Sequence, residues 1–284
     1  MKKEVYIYGT GGLGNSLFQL AVAVHYSEKY GYDVRMIFAP PLTIGTSKNF
    51  DRNVIVKDDS GREITYDLTI FNNPKLKYVS VLDVGKLDKI FEFNHSEEVI
   101  EDVADEHKKI GIKGYCQNYK LYDEVRDKIF SYINLSDSSV IDYVNKKYNL
   151  GSVKKNIMIG LRAGSDFEHM KKITSRSYED ALRVLTDEGE RDYNVVVIAD
   201  NIDRWRSKLQ FDIRGNVVLV DDDDVVQYYV AMQCNNFILC ESTFHYWPAY
   251  FKYVMDSSTR VVVFNDTDLT NRCIALPEWI RVDY

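Results

Sequence analysis

Four runs of β-branched and aliphatic residues, Ile157 to Leu161, Val195 to Ala199, Val217 to Val220 and Phe237 to Cys240, are each followed by a segment with helical spacing. That alternation is what a parallel sheet wound with helices requires, and it makes the second half of the chain α/β. Val261 to Phe264 reads as a fifth strand. Ser177 ahead of Tyr178-Glu179-Asp180, with Ala181, Leu182 and Leu185 behind, reads as a capped amphipathic helix. Ligands of such sheets sit at the carboxyl ends of the strands. The loops there are RAGSD (162–166), ADN (199–201), DDDD (221–224) and ESTF (241–244).

The first half opens on the same pattern. Val5 to Tyr8 is a short apolar run that stops at glycines, and Leu17, Leu20, Ala21 and Val24 follow at helical spacing up to Gly31. Val34 to Phe38 is a strand closed by Ala39-Pro40-Pro41. From 42 to 109 the signals are mixed, with β-rich pieces at Glu63 to Phe71 and Lys77 to Leu82. Lys109 to Tyr115 reads as a strand, and Leu121 to Ile133 and Ser138 to Tyr148 as helices. The polar, glycine-containing stretch 149–156 then places a boundary, giving domains 1–150 and 151–284. A chain of 284 residues is long enough for two such cores.

Composition narrows the partners. A net charge of −7 argues against a broad nucleic-acid surface while leaving room for a local basic pocket around one anionic ligand. Cys116, Cys234, Cys240 and Cys273 form no CxxC pair, which points to reduced, buried thiols rather than a zinc site or a disulfide scaffold. No apolar run approaches the roughly 20 residues that cross a bilayer, so no transmembrane segment and a cytoplasmic location are expected.

The glycine loop YGTGGLGNS (8–16) fits two phosphate-binding patterns incompletely. As a GxGxxG dinucleotide loop it lacks the acid that should close the second strand, which ends in Phe38-Ala39-Pro40. As an NTPase loop it has Asn15 where the lysine belongs. What remains is either a plain turn or a turn that brings backbone amides and the Asn15 side chain to an anion at a helix N-terminus.

Longer stretches bear on that choice. GGLGNSLFQLAVAVHYSEKYG (11–31), GYCQNYKLYDEVRDKI (114–129), IMIGLRAGSDF (157–167), VVVIADNIDRWRSKL (195–209), YYVAMQCNNFILCESTFHYWPAYF (228–251) and LPEWIRVD (276–283) resemble, in order, segments of the α-1,2-fucosyltransferases. In that family they read GGLGNQ, GYxQ, HxRRGD, a strand with its helix, LMSxC through NSTFSWW, and a common close. The resemblance implies two Rossmann-like domains facing a cleft, the GT-B arrangement. It implies an inverting glycosyltransferase that takes a nucleotide sugar, GDP-fucose above all, needs no metal or other cofactor, and delivers the sugar to a glycan acceptor. The N-terminal domain is then the acceptor side, the C-terminal domain holds the donor, and the last segment around Trp279 packs back toward the N-terminal domain. Another GDP-deoxysugar or a UDP-sugar is the alternative donor.

The chain departs from the family at several positions. Gly160 stands at the histidine of HxRRGD, Ala163 at the second arginine, and Ser165 is inserted before Asp166. Glu241 replaces the asparagine of NSTFSWW, while His245 and Tyr246 replace the next serine and the first tryptophan. A carboxylate common in the family falls at Gln227.

Departure of a diphosphate concentrates negative charge on the leaving group, so its stabilisation is the main chemical task. Arg162 can grip two phosphate oxygens in a fork, unless it is a loop arginine paired with Asp166. Ser242, Thr243 and the Phe244 amide are at a strand-to-helix turn suited to the same phosphates, or form an ordinary N-cap. Gly11, Gly12, Gly14 and Asn15 are assigned to the donor as well, and Asn15, Arg162 and Asp166 to catalysis. His245, Glu241, Asp166 and His25 are candidates for the base. Phe244, Tyr246 and Trp247 are sugar-stacking faces or core. Two rival readings stand beside this one: a manganese-dependent transferase using Asp221 to Asp224, against a solvated helix N-terminus, and a binding relative that lost turnover with Gly160 and Ala163.

Overall fold

A computed structural model describes residues 2–8, 12–38, 43–45, 53–57, 63–80, 84–93, 102–103, 106–152, 155–161, 173–199 and 213–283. The chain divides into two compact units, Met1–Leu135 and Ser136–Tyr284.

The first unit is built on β1 (Glu4–Tyr8), α1 (Leu13–Tyr30) and β2 (Asp33–Phe38). A small antiparallel sheet follows, made of β3 (Thr43–Gly45), β4 (Asn53–Lys57) and β5 (Glu63–Asp67). The piece expected as one strand to Phe71 turns instead into the short helix α2 (Leu68–Phe71). Then come β6 (Leu76–Ser80), β7 (Lys89–Phe93), β8 (Lys109–Gly114) and α3 (Arg126–Ile129). The main sheet runs β6-β2-β1-β8-β7 with every pair parallel. The helix expected from Leu121 to Ile133 breaks into 3-10 turns around α3, because the fully buried Tyr122 leaves helical backbone at φ −140°. A second expectation holds: α1 closes at Gly31, whose φ of 73° is left-handed backbone that glycine adopts without cost.

The second unit starts with α4 (Ser138–Tyr148), which the sequence reading placed before the boundary. Its anchors explain the difference: Tyr143, Lys147 and Tyr148 all bond to Asp222, and Asn145 accepts from Gln233. β9 (Lys155–Leu161), α5 (Ser175–Leu185), β10 (Tyr193–Ala199), β11 (Asn216–Val220), α6 (Asp224–Ala231), β12 (Asn236–Leu239), α7 (Thr243–Met255), β13 (Arg260–Phe264), α8 (Asp268–Asn271) and β14 (Ile280–Val282) complete it. Its sheet runs β11-β10-β9-β12-β13-β14, all parallel. In chain order this is 3-2-1-4-5-6, the Rossmann order, whose switch point lies between β9 and β12.

Ile157, Ile159 and Leu161 of β9 join Tyr178, Ala181, Leu182 and Leu185 of α5 in one core. The intervening residue Gly160 faces the other way, toward α7. α5 is capped one turn earlier than expected: Thr174 is the N-cap, and Ser177 answers it in a reciprocal capping box. The closing segment belongs to the second unit, where β14 pairs with β13 and Trp279 is buried against Tyr246 and Tyr253.

Candidate active site

In each of the two parallel sheets the first strand lies between the strand that follows it and one from much later in the unit: β1 between β2 and β8, β9 between β10 and β12. The carboxyl ends of β1 and β8 therefore lie side by side. Gln117 donates from Nε2 to Asn15 Oδ1 at 2.9 Å, and Gln19 donates from Nε2 to the Gly114 carbonyl at 2.8 Å. Two contacts thus tie α1 to the β8 exit. Asn15 is half-buried in the first turn of α1, and one of its amide heavy atoms is fixed by Gln117. Sequence reasoning quoted the GYCQ segment without singling out Gln117. Only the neighbouring of β1 and β8 shows why it matters.

In the second unit the corresponding edge is formed by the ends of β9 and β12, and β12 runs through Cys240-Glu241-Ser242 into α7. Ser242 is buried and is the N-cap, yet its side chain makes no capping bond. Among the described residues its Oγ has no hydrogen-bond partner. A hydroxyl without a partner at such depth costs about 1–3 kcal/mol, so it marks a place where a ligand acceptor or donor would be favoured.

Among the described helices of eight residues or more, the caps separate into two groups. Asp137 caps α4, Thr174 caps α5 and Asp223 caps α6, each with a side-chain bond to a first-turn amide. Neither α1, capped by Gly12, nor α7, capped by Ser242, has a side-chain cap bond or an acid in its first turn. Those two are the helices that begin at the switch points. An uncapped first turn leaves N–H groups and the positive end of the helix dipole for an anion. Space is available as well, since a Cβ on Gly12 would meet nothing within 4 Å.

The remaining expected residues distribute unevenly. Thr243 and Phe244 are half-buried, Phe244 lying edge-on to Tyr228 at 5.9 Å, while Gly14 is buried in α1. Glu241 accepts the Asp268 amide at 3.0 Å and so holds α8 in place rather than standing open as a base. Tyr246 and Trp247 are fully buried among Tyr250, Phe251 and Trp279, which makes them core and not sugar-stacking faces. Gly11, Arg162 and Asp166 lie outside the described residues, Arg162 being next in sequence to the last residue of β9. Of the aspartate run, Asp222 is held by Tyr143, Lys147 and Tyr148, and Asp223 by the Val226 amide.

His25 is placed far from a reacting hydroxyl at the helix start. It follows Asn15 by nearly three turns of α1, about 15 Å along the axis at 1.5 Å per residue. Its ring is buried against Tyr26 and Tyr30, and neither nitrogen has a hydrogen-bond partner among the described residues. Burial, reinforced by the Lys29 charge, holds its pKa below the ordinary value. The unfolded chain therefore takes up this proton first as pH falls through about 6.5, and stability present above that pH is lost below it. His25→Leu removes the group. The expected result is a smaller fall in melting temperature for the variant than for the unsubstituted chain between about pH 7 and pH 5, where His25 starts to titrate in the unfolded state; equal slopes would show that His25 does not contribute.

Similar proteins follow the same lines. No curated protein matches the chain in sequence. Among solved structures it is similar to the NodZ α-1,6-fucosyltransferase soaked with GDP-fucose, with 16% identity, 93% of this chain and 96% of that chain covered, and a TM-score of 0.56. It is also similar to a mutant Arabidopsis thaliana FUT1 in complex with GDP, with 12% identity, 93% and 70% covered, and a TM-score of 0.54. POFUT1 in complex with GDP-fucose gives 13% identity, 93% and 98% covered, and a TM-score of 0.52. At such identities these likenesses establish the α/β fold. The profile of glycosyl transferase family 11 matches residues 107–283, more than half of the chain and all of the second unit except Tyr284. With its switch-point helices left open to an anion, the chain belongs to glycosyl transferase family 11.

Proposed function

We propose that this protein transfers L-fucose from GDP-fucose to a hydroxyl of a glycan acceptor, with inversion at the anomeric carbon. The observation that carries the reading is the α7 start, where a buried Ser242 hydroxyl without a partner sits on an uncapped helix at the Rossmann switch point of a family 11 chain. The similar solved structures hold GDP or GDP-fucose, which favours that nucleotide over others.

In this reading the first-turn amides of α7, the Ser242 and Thr243 hydroxyls and the Arg162 guanidinium take the diphosphate. As the glycosidic bond breaks, its electron pair stays on the β-phosphate oxygen, where these donors stabilise it. Asn15 serves the transferred sugar or the diphosphate from the open α1 start, with Gly11, Gly12 and Gly14 keeping the approach clear. The acceptor proton leaves as the new bond forms, and Asp166 is the candidate group for it. No metal is required in this scheme, in keeping with the engagement of Asp222 and Asp223 within the fold. The free thiols suit a cytosolic setting, and no described helix is long and apolar enough to cross a membrane.

Thermal-shift measurements with GDP, UDP, CDP and dTDP test the donor directly. A ligand at 100 times its Kd adds about 2.7 kcal/mol to apparent stability, so GDP should raise the melting temperature most. If UDP alone does so, the fucosyl assignment is wrong. Transfer assays with manganese or chelator should give equal rates, and chelator-sensitive transfer would favour the aspartate run.

A further inference from the structure

Two departures from the family motifs meet in space. Gly160 is the penultimate residue of β9, with Ile198 of β10 and Leu239 of β12 as its register partners. Its φ is not positive, so the backbone does not demand glycine. Room does: a Cβ there would lie 2.5 Å from Nδ1, 2.6 Å from Cγ and 2.9 Å from Cβ of His245. Real Cβ atoms do not tolerate such contacts, and neither the strand nor the first turn of a packed helix yields easily.

His245 is itself buried, in the same turn of α7 as the Ser242 hydroxyl that has no partner. The imidazole thus occupies the volume into which a side chain at 160 would project.

We propose that His245 is a positioning residue of the donor site, delivered from α7 into the space left by Gly160, where it seats the Ser242–Phe244 turn against β9. This rests on the donor-site reading above, since the turn it seats is the one assigned to the diphosphate.

Four variants test it: His245→Ser, His245→Phe, Gly160→His, and Gly160→His with His245→Ser together, each measured for melting temperature, GDP affinity and transfer from GDP-fucose. Gly160→His alone should lose roughly 10-fold or more in GDP affinity by overpacking. The double variant, with an imidazole on the strand and the space for it vacated on the helix, should recover GDP affinity and transfer relative to both singles, the coupling expected of residues that share one volume. His245→Phe keeps a ring in that volume and should keep the fold, GDP affinity and transfer, whereas His245→Ser empties the volume and should lose roughly 10-fold or more in GDP affinity. A double variant no better than Gly160→His, or a His245→Ser enzyme with full GDP affinity and transfer, overturns the proposal. If the unsubstituted chain binds no GDP, the donor reading fails first, before any variant is compared.

Discussion

Asn15→Ala should lower turnover by roughly 10² to 10³, the effect of removing one neutral hydrogen-bond donor from a transition-state oxygen, about 2.7–4 kcal/mol. Folding should change little, because what is lost within the protein is one half-buried bond from Gln117, worth about 0.5–1.5 kcal/mol. Asn15→Asp gives the sharper contrast. Gln117 can still donate to the carboxylate, and an acid in the first turn of α1, where none now stands, complements the helix dipole. Stability should therefore hold or rise while transfer falls at least as far as in the alanine variant, because a carboxylate repels a departing diphosphate and has no N–H to offer. Steady-state transfer from GDP-fucose and melting temperature, taken on both variants, check this. An Asn15→Asp enzyme with normal turnover would mean that the glycine loop is a structural turn.

Arg162→Ala should act differently, weakening GDP binding as well as turnover. A guanidinium on the diphosphate meets charge in the ground state and meets more of it as the bond to the sugar breaks. Truncating one partner of such a charge pair costs about 2–5 kcal/mol, roughly 30- to 5,000-fold in affinity. Arg162→Lys should recover only part of it, since an ammonium cannot make the two parallel bonds of the fork. Calorimetric GDP affinity for the three forms decides the matter. Equal affinity in all three would take Arg162 out of the site and leave the diphosphate to the start of α7.

Much of the fold was legible in local pattern. The runs that became β1, β2, β9, β10, β12 and β13 are apolar enough to be read singly, and the helices at 13–30 and 138–148 have the expected spacing. β7 was missed because Lys89-Ile-Phe-Glu-Phe93 is a short edge strand with alternating exposure, Phe91 and Phe93 buried between exposed Ile90 and Glu92. β14 was missed for a similar reason, as a three-residue strand at the other sheet's edge with Arg281 exposed between half-buried Ile280 and Val282. Glu241 and His25 looked chemically apt in the sequence, but a titratable side chain does not announce whether its partners are a helix cap, a core or a substrate.

Local periodicity records which face of an element is buried, and that is what the sequence by itself determined: two α/β units, their more apolar strands, and glycine or serine at the openings of α1 and α7. It does not record which neighbour does the burying, because hydrogen-bonded strand order and side-chain contact depend on residues far apart in the chain. Strand order 3-2-1-4-5-6 was decided at that level, and with it the meeting of β9 and β12. The Gln117 to Asn15 bond spans 102 positions, and the fit of His245 over Gly160 joins the helix after β12 to β9, its neighbour in the sheet but far earlier in the chain. Read along the chain, Gly160 and His245 are two unrelated positions. In the folded protein they are one volume, which close packing allows a single side chain to fill.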